Sequence, residues 1–204
     1  MRISWLRHAC FLIESDGYQV VLDPFDEVPG CPDTAVEADA VLCSHEHHDH
    51  NNRAGVKLRA GKVSPFTVTV VETFHDEKAG TLRGDNKIHV LQAEGMKVAH
   101  MGDLGHPLSE EQAEVLRGCD AMMIPVGGFY TVDGETAAAI VKRLKPRVVI
   151  PMHYRGEGFG FDVIDTVEPF LSHFPAEKVY RMTESSLELT KETPEQVAVP
   201  AFPE

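Results

Sequence analysis

Branched and aromatic residues come in short runs through the first part of the chain, at 2–6, 10–15 and 19–22, with Gly17 in the turn between the last two. Runs of that length bounded by turn residues read as strands, and three in succession read as a meander. Residues 23–39 carry three prolines among alternating acids with no apolar period, which predicts an irregular surface loop. Residues 40–43 then predict one more buried strand, and the polar stretch 51–59 a short helix. Further strands are predicted over 67–73, 87–92, 96–101, 121–124, 147–150, 179–182 and 186–189. Ser109 and Gln112 have the spacing of a capping box that opens a helix running to Arg117, and Asp133 caps another over 135–144, before Pro146. A third helix is predicted over 162–172. With three prolines in its thirteen residues, 192–204 reads as an irregular tail.

Strands come first, then strand and helix alternate, and no glycine-rich phosphate loop follows the first strand. A dinucleotide-binding fold is therefore disfavoured, and an α/β arrangement of two sheets covered by helices fits the order. At 204 residues the chain can bury one core, so 1–204 is read as a single domain.

Composition narrows the function classes. With 19 basic and 32 acidic residues the formal charge is −13, the wrong sign for a general nucleic-acid binder, which needs a basic face to displace phosphate counterions. Hydrophobic residues make up 43% and charged residues 25%, the balance of an ordinary globular protein. Cys10, Cys31, Cys43 and Cys119 form no C-x-x-C pair, so they read as reduced, partly buried thiols. No apolar run has the length of a bilayer span and no secretory leader is visible, so a cytoplasmic location without a membrane partner is the default expectation. Oligomeric state is left open.

Four of the eleven histidines fall within residues 45–50, in the pattern H-x-H-x-D-H formed by His45, His47, Asp49 and His50. Imidazole nitrogen and carboxylate oxygen are the ligands zinc takes outside thiolate sites. Four such ligands in six residues cannot all reach one tetrahedral ion without severe backbone strain, so two adjacent metals are expected, with further ligands from elsewhere. His75, Asp103 and His153 are the candidates, because each follows a predicted strand, where a sheet delivers side chains to a shared site. His48, His89, His100, His106 and His173 read as surface or satisfied histidines.

In their order along the chain, Asp23, the 45–50 cluster, His75, Asp103 and His153 resemble the metallo-β-lactamase superfamily. Leu22-Asp23-Pro24-Phe25, Phe74-His75-Asp76, Gly102-Asp103-Leu104-Gly105-His106 and Pro151-Met152-His153-Tyr154 are most similar to its ascorbate-6-phosphate lactonase-like branch. The resemblance covers residues 3–189 and implies a four-layered αββα sandwich with the metals at one edge of the sheets. It further implies that His45, His47 and His75 bind one divalent ion and Asp49, His50 and His153 a second, with Asp103 bridging and Asp23 steadying the metal loop from behind. Zinc is the expected metal, and manganese or iron fit the same ligands. His8 stands where related sequences carry G-H-A or G-H-S, with Arg7 in place of the glycine. It reads either as a pocket-facing residue behind the ligands or as a hydrogen-bonded structural histidine.

The expected activity is hydrolysis by a metal-bridging hydroxide. Asp49 and Asp103 are the catalytic candidates, and Asp49 would orient the nucleophile or carry its proton. Two divalent ions outweigh these carboxylates and a hydroxide, so the pocket mouth is locally positive and suits a small anionic ester, lactone or phosphodiester. Tyr130 and Arg155 are the substrate-binding candidates, one as a donor to a developing oxyanion and the other as partner of a phosphate or carboxylate. The competing readings are an iron-dependent redox protein on the same fold, although His47 stands where diiron relatives carry an acidic residue, and a metal-stabilised binding module without turnover.

Overall fold

The computed structural model describes residues 1–203. A five-stranded sheet takes β1 (Arg2–Trp5), β2 (Phe11–Ser15), β3 (Tyr18–Leu22), β5 (Ala40–Leu42) and β13 (Ser186–Glu188), in the order β13-β1-β2-β3-β5. A seven-stranded sheet takes β7 (Thr67–Phe74), β8 (Asp85–Ala93), β9 (Met96–His100), β10 (Ala121–Pro125), β11 (Val148–Met152), β12 (Val179–Arg181) and β14 (Gln196–Val199), in the order β12-β14-β11-β10-β9-β8-β7. A small parallel pair, β4 (Val36–Ala38) with β6 (Val56–Leu58), lies apart from both.

Side-chain alternation places the layers. Phe11, Ile13, Val20 and Leu22 join Ile88, Val90, Val98 and the residues of β10 in one core between the sheets, whereas Cys10 and Val21, pointing the other way, pack with Phe25, Val28 and Val56 in a second cluster. The outer layer over the five-stranded sheet is therefore the loop 23–39 with β4 and β6. Over the seven-stranded sheet it is helical: α1 (Glu110–Leu116) and α2 (Gly134–Leu144) bury Ala113, Leu116, Ala137, Ile140 and Val141 in the main core. β10 and β11 are buried along their whole length, as parallel strands covered on both faces must be. This is the layered α/β sandwich that the resemblance implies.

The two capped helices follow from local chemistry. Ser109 and Gln112 exchange both capping-box bonds, and the Asp133 side chain accepts from Thr136 N. The four cysteines are buried and free. No helix among the described residues is long and apolar enough to cross a membrane.

Four expectations need correction. The loop expected over 23–39 is not irregular throughout, since Val36–Ala38 is strand β4, paired in parallel with β6. Residues 51–59 form a 3₁₀ turn, Arg53–Gly55, and then strand β6, because Asn52 caps the turn through its side chain and Gly55 packs where a Cβ would lie 1.9 Å from Thr34 O. The helix expected over 162–172 shrinks to α3 (Glu168–Leu171), since Asp165 N donates to Gly127 O and Asp165 O accepts from Arg155 N instead of entering a helical ladder. The segment from 192 is not an irregular tail throughout: Gln196–Val199 is inserted between β11 and β12, with Val197, Ala198 and Val199 buried. Its prolines flank the strand and leave the ladder intact.

Candidate metal centre

Strand direction brings the candidate residues together. β1 and β3 are each antiparallel to β2, and β5 is parallel to β3; β7 and β9 are each antiparallel to β8, and β10 and β11 run parallel to β9. In each sheet the odd-numbered strands β1, β3, β5 and β7, β9, β11 thus end at one edge. His8, Asp23 and His45 follow the first three; His75, Asp103 and His153 follow the other three. Several of these exits need left-handed backbone, with φ of 51° at His8, 47° at Asp23 and 52° at His153, a strain that persists only where surrounding structure holds it.

Three groups of donors result; in one of them, Asp23, His45 and His50, Asp23 is already bonded to His50, and the other two are complete in themselves. The ligand atoms of His45, His47 and His75 lie within 4.8 Å of one another, and so do those of His8, Asp49, His50 and His153. Asp103 touches both groups through one oxygen: Oδ2 is 3.3 Å from His75 Nε2, 3.2 Å from His50 Nε2 and 3.1 Å from His153 Nε2. Gly105 lets the Asp103 loop close on the His75 loop, since a Cβ there would sit 2.3 Å from Asp76 N.

Behind the ring nitrogens lies a hydrogen-bonded frame. Asp23 is fully buried; its Oδ1 accepts from Ser44 N at 2.6 Å, and its Oδ2 accepts from Ser44 Oγ at 2.5 Å and from His50 Nδ1 at 2.8 Å. Ser44 Oγ is also 2.9 Å from His45 Nδ1. Burial alone would push the Asp23 carboxyl up, but His100, His50 and His45 around it outweigh that and hold it well below the usual carboxylate range. Asp103 behaves alike: burial opposes its charge, and His153 and His50 overcome it. Burial also disfavours a charged His50, yet Asp103 and Asp23 on either side raise it well above 6.5. His45 is pushed down to about 3 by burial and the neighbouring His50, which outweigh the opposing pull of Asp103 and Asp23. A neutral imidazole is the form that binds a metal.

A cleft of about 520 Å³ opens onto this edge, lined by Glu46, His47, His48, Asp49, His75, Arg83, Asp103, Tyr130 and Phe161. Tyr130 therefore faces the site. Arg155 is not among the lining residues; its Nε donates to Ile164 O at 2.7 Å, within the turn that also shortens α3. Arg83 is the cation that the sequence reading missed. It lines the cleft with its guanidinium 5.8 Å from the centre of the Tyr130 ring and bonded to Phe129 O at 3.0 Å. Asp76 makes this possible by accepting backbone N–H groups of Lys78, Gly80, Leu82 and Arg83, which folds the loop after His75 back over the cleft. An Asp directly after a candidate ligand histidine and seven residues before a lone Arg is the signal available in the sequence.

His106 is satisfied, accepting from Phe74 N through Nε2 and donating to Pro107 O through Nδ1, and His48 is exposed beside Asp26. His8 is buried, and the polar contact of its ring is with Asp49, Nε2 to Oδ2 at 3.5 Å, long for the hydrogen-bonded structural histidine of the second expectation.

Comparison with known proteins agrees with this geometry. A family model for the beta-lactamase superfamily domain matches residues 2–153. The chain belongs to the metallo-β-lactamase superfamily. It is 31% identical over 186 residues to a UPF0173 protein of Pyrococcus abyssi, covering 78% of this chain and 86% of that one. A UPF0173 metal-dependent hydrolase of Caldivirga maquilingensis is 28% identical over 184 residues, with 74% and 81% of the two chains covered. Among solved structures, a proposed Zn-dependent hydrolase of the same superfamily from Thermotoga maritima superposes with a TM-score of 0.76 at 34% identity, covering 98% of this chain and 97% of the other. Within the superfamily, the chain is a metal-dependent hydrolase.

The donors fit that chemistry. His45 Nε2, His50 Nε2, His153 Nε2 and Asp103 Oδ1 are buried without a hydrogen-bond partner among the described residues, and their side chains converge on the two groups described above. Buried polar atoms left in this way are costly unless something binds them. Mixed imidazole and carboxylate donors suit zinc, manganese or iron.

Proposed function

We propose that the chain hydrolyses a small anionic ester, lactone or phosphodiester with two divalent cations, most plainly zinc, one held by His45, His47 and His75 and the other by Asp49, His50 and His153. The observation that carries this reading is the position of Asp103, whose single oxygen lies 3.1–3.3 Å from ring nitrogens of both donor groups and so suits a bridge. When bound, such cations supply a water activated near neutral pH and a Lewis acid for the oxygen on which charge develops.

The rest is the work of the chain itself. Asp49 lines the cleft and is only partly exposed, and His8 and His50 beside it overcome burial and keep its carboxyl depressed, so it can receive a proton or orient a nucleophile while ionised near neutrality. Asp23 fixes the His50 ring through Nδ1, leaving Nε2 to face the centre. Arg83 offers a fixed cation to a phosphate or carboxylate, the role expected of Arg155, and Tyr130 offers a hydroxyl to a developing oxyanion. A cleft of about 520 Å³ matches a small molecule. The resemblance to ascorbate-6-phosphate lactonase-like proteins favours the lactone end of the range.

Turnover of a panel of lactones, phosphodiesters and thioesters by the metal-loaded chain tests the proposal. Hydrolysis of an anionic lactone or phosphodiester that is lost on chelation supports it. Activity indifferent to chelation, or stoichiometric iron with oxygen consumption and no hydrolysis, contradicts it.

A further inference from the structure

We propose that His8 is itself a metal ligand, the fourth side chain of the inner position, and that the two cation positions are consequently unequal: an inner one closed by His8, Asp49, His50 and His153, and an outer one of three histidines open to the cleft. The inference rests on the two-cation reading above and adds a ligand to it.

His8 is 2% exposed, and both its ring nitrogens lack a hydrogen-bond partner among the described residues. A buried imidazole in that state is destabilising, so a role that leaves it behind the ligands without a bond is unfavourable. Its surroundings point elsewhere. Nε2 is 3.5 Å from Asp49 Oδ2, a long contact at the outer limit of a hydrogen bond, and the ring centroid is 4.2 Å from that of His153 and 5.2 Å from that of His50. The donors of all four residues fall within 4.8 Å of one another, the same limit that the three-histidine group meets.

The backbone is shaped for this placement. Arg7 and His8 are both left-handed, with φ of 94° and 51°, a conformation unfavourable for L-residues. Four hydrogen bonds hold it: Leu6 N to Cys10 O, Cys10 N to Arg7 O, Trp5 Nε1 to His8 O at 2.9 Å, and His153 N to His8 O. The last ties the His8 turn to the loop carrying His153. Phe25 and Phe161 pack edge-on against the imidazole and leave the metal edge as its polar outlet.

Access separates the two positions. Asp49 and Asp103 line the cleft with His47 and His75, but His8, His50 and His153 do not, and all three are at most 2% exposed. With Asp103 shared between them, the inner position has one protein donor more than the outer, which leaves the outer the readier to take water or substrate. Substrate therefore meets the outer position first.

The test titrates the metal-free full chain and His8→Gln with zinc, following heat and bound metal, with circular dichroism to confirm folding. Wild type is expected to take up two equivalents, and His8→Gln to lose affinity for one of them by more than about 100-fold, beyond the effect of an outer partner, with the other unchanged. A smaller loss, or equal weakening of both equivalents, overturns the assignment. A second readout uses wild type, so it does not depend on the variant folding: in long-range proton–nitrogen spectra of histidine-labelled protein, one His8 ring nitrogen should move to the metal-bound range on loading. If it stays, His8 is not a ligand. Fewer than two equivalents in wild type would overturn the two-cation reading, while the His8 nitrogen shift would still decide the ligand.

Discussion

Asp23 Oδ2 lies 2.8 Å from Nδ1 of His50, on the far side of the ring from the Nε2 that stands 3.2 Å from Asp103. One imidazole is thus held between two buried carboxylates, its orientation set before any metal arrives. Asp23→Ala removes the outer hold along with both bonds to Ser44. Metal affinity should fall about 10–100-fold with the ligands themselves intact. Competition with a chromophoric chelator measures it, and unchanged affinity would show that the Asp23 contact does not orient the site.

Asp76 organises the loop that delivers Arg83. Its carboxylate accepts four backbone N–H groups, and those of Arg83, Lys78, Leu82 and Gly80 together hold it ionised below its ordinary range against the opposing effect of burial. In Asp76→Ala the amides of Lys78, Gly80, Leu82 and Arg83 should exchange with deuterium at least about tenfold faster, as expected of a loop freed from its only shared acceptor. Amides of β8 and β9, held by their own ladders, should be unaffected.

Arg83 itself should govern charge preference. Replacing it by alanine is expected to raise KM about tenfold or more for a substrate carrying a phosphate or carboxylate, the scale of one charge-assisted hydrogen bond. Values for a neutral ester of the same shape should not move. Arg155→Ala, by contrast, should act through the Ile164 turn, altering stability rather than charge selectivity.

Stability of the chain should fall with acid through a pair outside the ligand set. His89 and His100 face each other across β8 and β9, and both are buried. Burial pushes His89 from 6.5 down to about 4, so between these values the unfolded chain takes a proton that the folded chain refuses. Stability is then highest above pH 6.5 and declines as pH falls towards 4. Urea unfolding of the metal-free protein at pH 7 and pH 5 should show this decline, and His89→Gln should reduce it by about 2 kcal/mol. An equal decline in the variant would assign the effect to other groups.

How much of this was legible in the sequence depends on how local each signal is. Residues 45–50 share one strand exit, so their pattern alone announces a metal site; His75, Asp103 and His153 are legible as the ends of apolar runs. Their convergence depends on strand direction, which no run of residues states. Arg83 escaped because its place depends on backbone N–H groups gathered by one carboxylate, and Arg155 misled because the carbonyl of Ile164, four residues before α3 begins, takes its Nε. The strand at Gln196–Val199 escaped because its prolines suggested irregularity, although they lie outside the paired residues. For His8 the sequence offered two roles, and burial without hydrogen bonds was visible only in three dimensions.

The most direct test of the centre is metal content measured together with turnover in wild type and Asp103→Ala. The bridging role predicts two equivalents of divalent metal and hydrolysis of an anionic lactone or phosphodiester in wild type, and no more than one equivalent with loss of turnover in the variant. Full metal content and undiminished turnover in Asp103→Ala would contradict it.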